Sequence, residues 1–216
     1  MAGESQQVMI KIPPLDIRRM QIVLVGDSRL VVHAWSDKAR KMMLDTQMKK
    51  AKAGKEAKDP ERDYCDSLYW ITKKPKGGKP TEAEWKKAKF GFPVIAFKAA
   101  AVDACSHVDG MTKVLARGAF HVGHSAHDSD ELVEIQGTPS MREDMARVGM
   151  GKADIRYRAE FWPWRVTLPI RYNASVLSAE QIVNLLNTAG FAVGVGEHRP
   201  QRDGQWGLFH VAADGE

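Results

Sequence analysis

Hydrophobic and polar residues alternate most regularly between positions 162 and 172. Every second residue from Trp164 to Tyr172 is apolar, and Arg165 and Arg171 are among the residues between them. A period of two is typical of a β-strand with one face buried, and Pro169 indicates an edge or a bulge. This stretch is therefore predicted to be a half-buried strand.

The pattern changes from strand to helix at residue 178. Ser178 begins a Ser-Ala-Glu-Gln capping box, and apolar residues then recur at helical spacing as far as Gly190, the predicted C′ residue. Residues 191–195 and 206–211 are predicted to be short strands. The loop that joins them is rich in glycine and arginine.

Two earlier segments have the character of a protein core. Residues 17–26 are apolar in both phases, which predicts a central strand covered on both faces, and residues 92–106 are small and apolar nearly all round, which predicts a helix packed on a sheet. Short strands are predicted within residues 120–135. The resulting order is βαββαβ, which predicts an α+β fold of the ferredoxin-like or RRM type.

Two other segments are predicted to extend this core. Helices are predicted after the first strand, one following Ser36 and one near residues 60–71, and residues 137–152 are predicted to form a hairpin arm with the strand after them. The chain is therefore predicted to be one elaborated domain over residues 1–216. Its parts are a palm (15–35, 91–136 and 153–213), a basic helical insertion (36–90) and an arm (137–152).

Composition restricts the class of protein. Hydrophobic residues make up 44% of the chain, which is enough for a sizeable core, and no apolar run is long enough for a membrane span. The first residues lack the pattern of a secretory signal, so a cytoplasmic protein is expected. Cys65 and Cys105 have no paired spacing and are predicted to be buried free thiols.

Positive charge is concentrated in one part of the chain. The net charge is +5, but residues 37–98 contain 17 Lys and Arg against 9 Asp and Glu, while the remainder contains 15 against 18. Such a cluster favours a polyanionic partner, because neutralising phosphates releases counterions. A lysine-rich, solvated helix face is the alternative explanation.

Candidate binding residues come from the loop, the strands and the insertion. Arginine binds phosphate in a bidentate manner, and glycines let backbone N–H groups approach an anion. A phosphate loop is predicted at Gly194, Gly196, Gly204 and Gly207. Nucleic-acid contacts are predicted for Arg142, Arg147, Arg156, Arg158, Arg165, His198, Arg199, Arg202, Lys73, Lys74, Lys76 and Lys79. No cofactor is predicted, because the glycine spacing is not that of a dinucleotide site.

Two catalytic alternatives remain open. The spacing of His121, His124 and His127, with Asp128 and Asp130 beside them, is compatible with a metal cluster but matches no known motif. Asp144 on the arm is a candidate acidic residue for RNA cleavage. These residues define a rival prediction, a metal-dependent nuclease, although no metal site is assigned.

Three groups of residues carry a resemblance to known proteins. They are Gly91, Phe92, Pro93, Phe97 and Lys98; Arg156, Tyr157, Arg158, Phe161 and Trp164; and Gly194, Gly196, Glu197, Arg199, Pro200, Gly204, Gly207 and Phe209. In these the chain resembles a family of uncharacterised proteins of tailed phages and prophages. Its predicted architecture is similar to that of RAMP-type backbone subunits of CRISPR effector complexes, which have an RRM palm with a finger insertion and a thumb hairpin.

The resemblance implies a subunit that polymerises along single-stranded nucleic acid, either RNA or DNA, without catalysis. It implies self-association or a larger nucleoprotein assembly, located in the host cytoplasm if the protein is phage encoded. The predicted central strands lack the aromatic motifs of an RRM, so stacking of bases on the sheet is not expected. A structural or decoy subunit that acts through protein–protein contacts is the remaining alternative.

Overall fold

The computed structural model describes residues 12–50, 57–75, 79–123, 131–148, 152–213 and 215, with only the backbone described at 147, 148 and 152. Helices and strands alternate irregularly along the chain. In chain order they are β1 (Ile17–Gly26), β2 (Leu30–Val32), α1 (Asp37–Gln47), α2 (Pro60–Ser67), β3 (Tyr69–Trp70), α3 (Glu82–Lys87), β4 (Phe90–Pro93), α4 (Val94–Ala104), α5 (Lys113–Ala119), β5 (Phe120–Val122), β6 (Leu132–Gln136), β7 (Pro139–Val148), β8 (Lys152–Phe161), β9 (Arg165–Asn173), α6 (Ala179–Ala192) and β10 (Phe209–Val211).

The fold is mixed α and β with antiparallel strand pairing, in agreement with the predicted α+β class. The larger sheet has the order β10-β1-β9-β6-β4-β3, and β5 pairs with the free edge of β9 beside β6. The strands β1 and β9 are central and pair over nine residues, from Ile17 opposite Asn173 to Val25 opposite Arg165. They hold the rest of the sheet in register.

One face of the larger sheet forms the core. Residues opposite each other in register share a face, so Leu24 and Val166 lie side by side, and both are fully buried. Phe97 of α4 and Leu186 of α6 belong to the same cluster and are fully buried as well. Burying each such side chain contributes about 1.5–3 kcal/mol, so this face accounts for much of the stability.

The end of α6 differs from the prediction. Residues 191–195 are not a strand, because the helix continues through Gly190 to Ala192. A Cβ atom at Gly190 would lie 1.7 Å from the carbonyl oxygen of Phe209, so glycine there allows close packing of β10 on the helix. Gly194, with φ of 68°, is the residue that adopts the left-handed conformation after the helix, and its amide donates to the carbonyl of Ala189.

A second sheet of three strands has the order β2-β8-β7. The predicted hairpin is present, because β7 and β8 pair over ten residues. The strands β2 and β8, which were predicted as part of the palm, belong to this smaller sheet. The hydroxyl of buried Ser67 accepts a hydrogen bond from the amide of Ala159, and the Ser67 carbonyl accepts one from Ala34. Helix α2 is thereby attached to β8 and to the segment that follows β2.

Helix α1 lies on the surface and has no buried residue. Ser36 caps it as predicted, accepting from the amide of Ala39. Met42, Met43 and Leu44 are each at least half exposed. The thiols of Cys65 and Cys105 are free and buried, as predicted, and burial raises the pKa of Cys65 to about 11. No described helix has the length and apolar character that a membrane span requires.

Candidate nucleic-acid interface

Two predicted arginines, Arg142 and Arg158, lie in a partly buried ion-pair network between the hairpin and the C-terminal loop. On β7, the Arg142 Nε donates to Asp144 Oδ1 at 2.8 Å, and its Nη1 donates to Glu160 Oε2 of β8 at 3.2 Å. The other oxygen of Glu160 accepts from Arg29 Nη1 at 2.6 Å. Asp144 and Glu160 are mostly buried. Arg142 and Arg29 therefore each have an anionic partner within the protein.

Arg158 lies at the centre of this network. Its guanidinium is only 5% exposed, and its Nη1 is 3.5 Å from Asp144 Oδ2 and 3.2 Å from His198 Nε2. The buried Arg158 Nε has no hydrogen-bond partner among the described residues. A guanidinium enclosed in this way is not accessible to a nucleic-acid backbone, which argues against the predicted binding role of Arg158.

The same packing limits how far the side chains of Arg142 and His198 are available to an external ligand. The Arg142 guanidinium stacks over the Trp206 ring at 4.0 Å from its centroid, and the His198 ring meets Trp206 edge-on at 5.0 Å. A cation held between an aromatic face and two carboxylates is already neutralised. The ion-pair network, defined as Arg29, Arg142, Asp144, Arg158, Glu160 and His198, therefore connects the hairpin to the C-terminal loop.

The glycines of the C-terminal loop form hydrogen bonds and close backbone contacts within the protein. The amides of Gly194, Gly204 and Gly207 donate to the carbonyls of Ala189, Arg199 and Arg29. A Cβ atom at Gly207 would lie 1.7 Å from the Val195 carbonyl oxygen. Since these three N–H groups are bonded within the protein, they are not free to bind a phosphate, which argues against the predicted phosphate loop at these positions.

The remaining predicted cations are spread over separate parts of the molecule. In the insertion, Lys74 pairs with Asp66 at 2.7 Å and Lys79 with Asp59 at 3.1 Å. Arg199 donates to the Gly196 carbonyl and to Gln201. Lys73 and Arg202 are exposed, whereas Arg156 and Arg165 are half-buried. Lys76 and the side chain of Arg147 lie outside the described residues.

A different set of cations comes together on the face of the larger sheet opposite the core. Arg19 of β1 lies directly opposite Arg171 of β9, which lies directly opposite His121 of β5. Residues in register share a face, so these three side chains form a row across three strands. All three are exposed. Neither arginine forms an ion pair within the part of the chain that the structure describes. We call Arg19, Arg171 and His121 the cation row.

Lys98 of α4 adds a fourth basic side chain at the edge of the cation row. Its Nζ donates to the Arg117 carbonyl at 3.0 Å and lies 3.2 Å from His121 Nδ1. Partial burial lowers the pKa of His121, and the charges of Lys98 and Arg171 lower it further. Burial also lowers the pKa of Lys98. A lowered pKa keeps the His121 imidazole mostly uncharged at neutral pH, so the positive charge of the cation row at that pH comes from Arg19 and Arg171, with Lys98 at its edge.

The cation row ends at a cavity of about 280 Å³. His121, Arg171 and Tyr172 line it, together with Ile17. The side chain of Ile17 is 52% exposed. The cavity therefore has one wall with a charged side chain and one apolar wall.

The sequence contained a signal for this surface that the prediction did not use. Arg171 has the same phase in β9 as Arg165, so both belong to the face opposite the core. In β1 the expectation of two covered faces is wrong, because Arg19 and Gln21 are exposed. The alignment of Arg19 with Arg171 depends on the strand register, which alternation within one strand does not determine.

Neither catalytic alternative gains support from the described residues. His124, His127, Asp128 and Asp130 lie outside them, and no group of three metal-ligating side chains occurs within them. The ammonium group of Lys98 lies 3.2 Å from His121 Nδ1, and its positive charge would repel a metal ion there. Asp144 is mostly buried and paired with Arg142 and Arg158, so it is not placed as a general base.

A scan against protein-family models finds no match to the chain, and a search of curated proteins finds none either. The resemblance to the phage family therefore stays a prediction.

Proposed function

We propose that the protein is a non-catalytic binder of single-stranded nucleic acid, and that the strand lies across the cation row. The observation that carries this proposal is the alignment of Arg19, Arg171 and His121 on one exposed face, with no described carboxylate paired to either arginine. Phosphates supply the missing negative charge. Among the described arginines of β1 and β9, Arg19 and Arg171 are exposed and form no ion pair with another described residue.

The sheet order supports the finer part of this proposal, a ferredoxin-like palm. The strands β10, β1, β9 and β6 are neighbours in that order with antiparallel pairing, and α4 and α6 connect them in a split βαβ pattern. The β7–β8 hairpin and the segment 36–90 then correspond to the thumb and fingers of RAMP-type subunits. In such a palm, the face opposite the helices is free to bind a ligand.

Binding on this face is proposed to rest on phosphates and to tolerate many sequences. The positions of β1 and β9 that face away from the core carry Arg19, Gln21, Thr167 and Arg171 but no aromatic side chain. Stacking of bases on these strands is therefore excluded, and charge is the main attraction. Affinity that depends on charge falls steeply as salt concentration rises.

The first test is the affinity of the full chain for labelled single-stranded DNA and RNA at low ionic strength. Arg171→Gln is expected to weaken binding about ten-fold, because it removes one charge-assisted hydrogen bond to a phosphate. Arg18→Gln is the matched control: Arg18 neighbours Arg19, but its guanidinium pairs with Asp16 at 2.8 Å. It is expected to retain the wild-type affinity.

Two outcomes would contradict the proposal. One is an absence of binding to either polymer at low ionic strength. The other is equal loss of affinity in Arg171→Gln and Arg18→Gln, because that result means that net charge rather than the cation row determines binding.

A second candidate function is a subunit that joins an assembly through protein contacts. It is favoured by α1, an 11-residue helix with no buried residue whose Met42, Met43 and Leu44 are exposed. An isolated helix of this length is marginal in water, so a partner surface that covers its apolar side chains would stabilise it. Oligomers in size analysis of nucleic-acid-free protein would favour this function, and dissociation by Met43→Glu would locate the contact on α1.

A further inference from the structure

A second cavity, of about 250 Å³, lies away from the cation row between α4 and the C-terminal loop. Tyr69 and Phe92 form an aromatic wall, with their rings edge to face at 5.9 Å between centroids. Ala96, Ala99 and Ala100 of α4 line the cavity with small side chains. A planar group fits such a space, and the cavity is smaller than the roughly 300 Å³ at which sites for drug-sized ligands begin.

Glu197 gives the cavity a fixed negative charge. His33, with its Nδ1 at 3.8 Å from Glu197 Oε1, lowers the pKa of Glu197 to about 2 against the opposing effect of partial burial, and the positive charge of Arg158 lowers it further. The side chain is 43% exposed. At neutral pH it is therefore an ionised carboxylate, which can accept hydrogen bonds.

Arg199 provides donors on the same cavity. The Gly196 carbonyl and Gln201 Oε1 accept hydrogen bonds from its Nη1 and Nε at 3.0 and 3.1 Å, so the plane of the guanidinium is held. These bonds use two of its five N–H donors. Within the described part of the chain, the others are available to a ligand that carries acceptors.

These groups select among the nucleobases. A carboxylate that accepts two parallel hydrogen bonds needs two adjacent N–H donors, and guanine presents them as its imino and amino groups. Thymine and uracil place carbonyls beside their single imino group, and adenine and cytosine place an acceptor beside their amino group. Guanine also carries the O6 and N7 acceptors that arginine recognises.

We propose that this cavity binds a guanine base displaced from the bound strand. Unstacked bases in single strands are commonly recognised by hydrogen bonds to their edges and by aromatic side chains. This inference rests on the proposed function for the strand but adds base preference at one position. The cation row would hold phosphates regardless of sequence, and the cavity would favour guanine.

The first arm of the test uses nucleosides, which carry no phosphate. The full chain with ¹³C-labelled alanine methyl groups is titrated with 2′-deoxyguanosine or thymidine, and the signals of Ala96, Ala99 and Ala100 are followed. Deoxyguanosine is expected to shift them and thymidine to leave them in place. Unchanged signals with deoxyguanosine would overturn the guanine site, whatever the protein does with longer strands.

The second arm compares labelled oligothymidylate with the same strand carrying one central guanine. The guanine is expected to lower Kd about ten-fold. Glu197→Gln removes the carboxylate and Ala99→Leu fills the cavity from its exposed side, and each should abolish this gain without weakening binding of oligothymidylate. Glu180→Gln, an exposed carboxylate on α6, should retain the gain.

The outcomes separate the two proposals. A guanine gain that persists in both Glu197→Gln and Ala99→Leu overturns the cavity but not the binding of strands. Deoxyguanosine shifts without binding of any oligonucleotide overturn the proposed function and leave the cavity as a guanine site.

Discussion

Replacing Asp144 with asparagine is expected to lower the free energy of unfolding by about 3–5 kcal/mol, the usual cost of removing one partner from a buried ion pair. Asp144 faces both Arg142 and Arg158, and Arg158 is only 5% exposed. The substitution keeps the shape of the side chain and removes its charge, so Arg158 would lose its ion-pair partner and Arg142 would keep only Glu160, which it shares with Arg29. Chemical denaturation of the two proteins measures the difference.

Glu82→Gln is the control for this substitution. Glu82 pairs with Lys86 on the surface of α3, where both side chains are mostly exposed, and such pairs contribute little. A small effect at Glu82 and a large effect at Asp144 would establish the network as structural. Similar, small effects at both positions would contradict the account and return Arg142 and Arg158 to the set of candidate ligand contacts.

Replacing Gly207 with alanine is the second substitution with a large expected effect. Its φ of 68° is unfavourable for any residue with a Cβ atom, and that atom would lie 1.7 Å from the Val195 carbonyl oxygen. Strain of this kind costs about 1–3 kcal/mol before the loop shifts to relieve the clash. Thermal unfolding is expected at a clearly lower temperature, while the folded variant keeps its affinity for oligonucleotides.

Gly118→Ala provides the matched control for Gly207→Ala. Gly118 lies in α5, and apart from its chain neighbours and the backbone of its own helix, no described atom lies within 4 Å of a Cβ built there. Alanine in a helix is expected to stabilise by about 0.5–1 kcal/mol relative to glycine. If Gly207→Ala unfolds like the wild type but loses affinity, the loop would be a ligand site and the structural explanation of its glycines would be wrong.

Local patterns in the sequence predicted the central elements well. Alternation from Trp164 to Tyr172 located β9, and the capping box at Ser178 located the start of α6, because both signals depend on neighbouring residues. The hairpin arm was predicted from the alternation of β8, although its partner strand fits no period in the sequence. The end of α6 was predicted wrongly, because Gly190 is required for close packing against β10 and does not end the helix.

The site was harder to predict because it depends on contacts between distant residues. Arg158 and His198 are 40 residues apart, yet their side chains meet at 3.2 Å. An arginine that alternates with apolar residues has the same pattern whether a carboxylate or solvent faces it. Its availability for phosphate is decided by Asp144 and Glu160, whose positions follow from the hairpin register. Arg19 and Arg171 needed the register of β1 and β9 in the same way.

The central claim is that the cation row contacts phosphates, and the salt dependence of binding measures this most directly. The slope of log K against log salt concentration is determined for the wild type, for Arg18→Gln and for the double variant Arg19→Gln with Arg171→Gln. Loss of two phosphate contacts is expected to make the slope of the double variant shallower by about 1.4, since each contact to a single strand contributes about 0.7. Arg18→Gln should keep the wild-type slope. An unchanged slope in the double variant would contradict the claim.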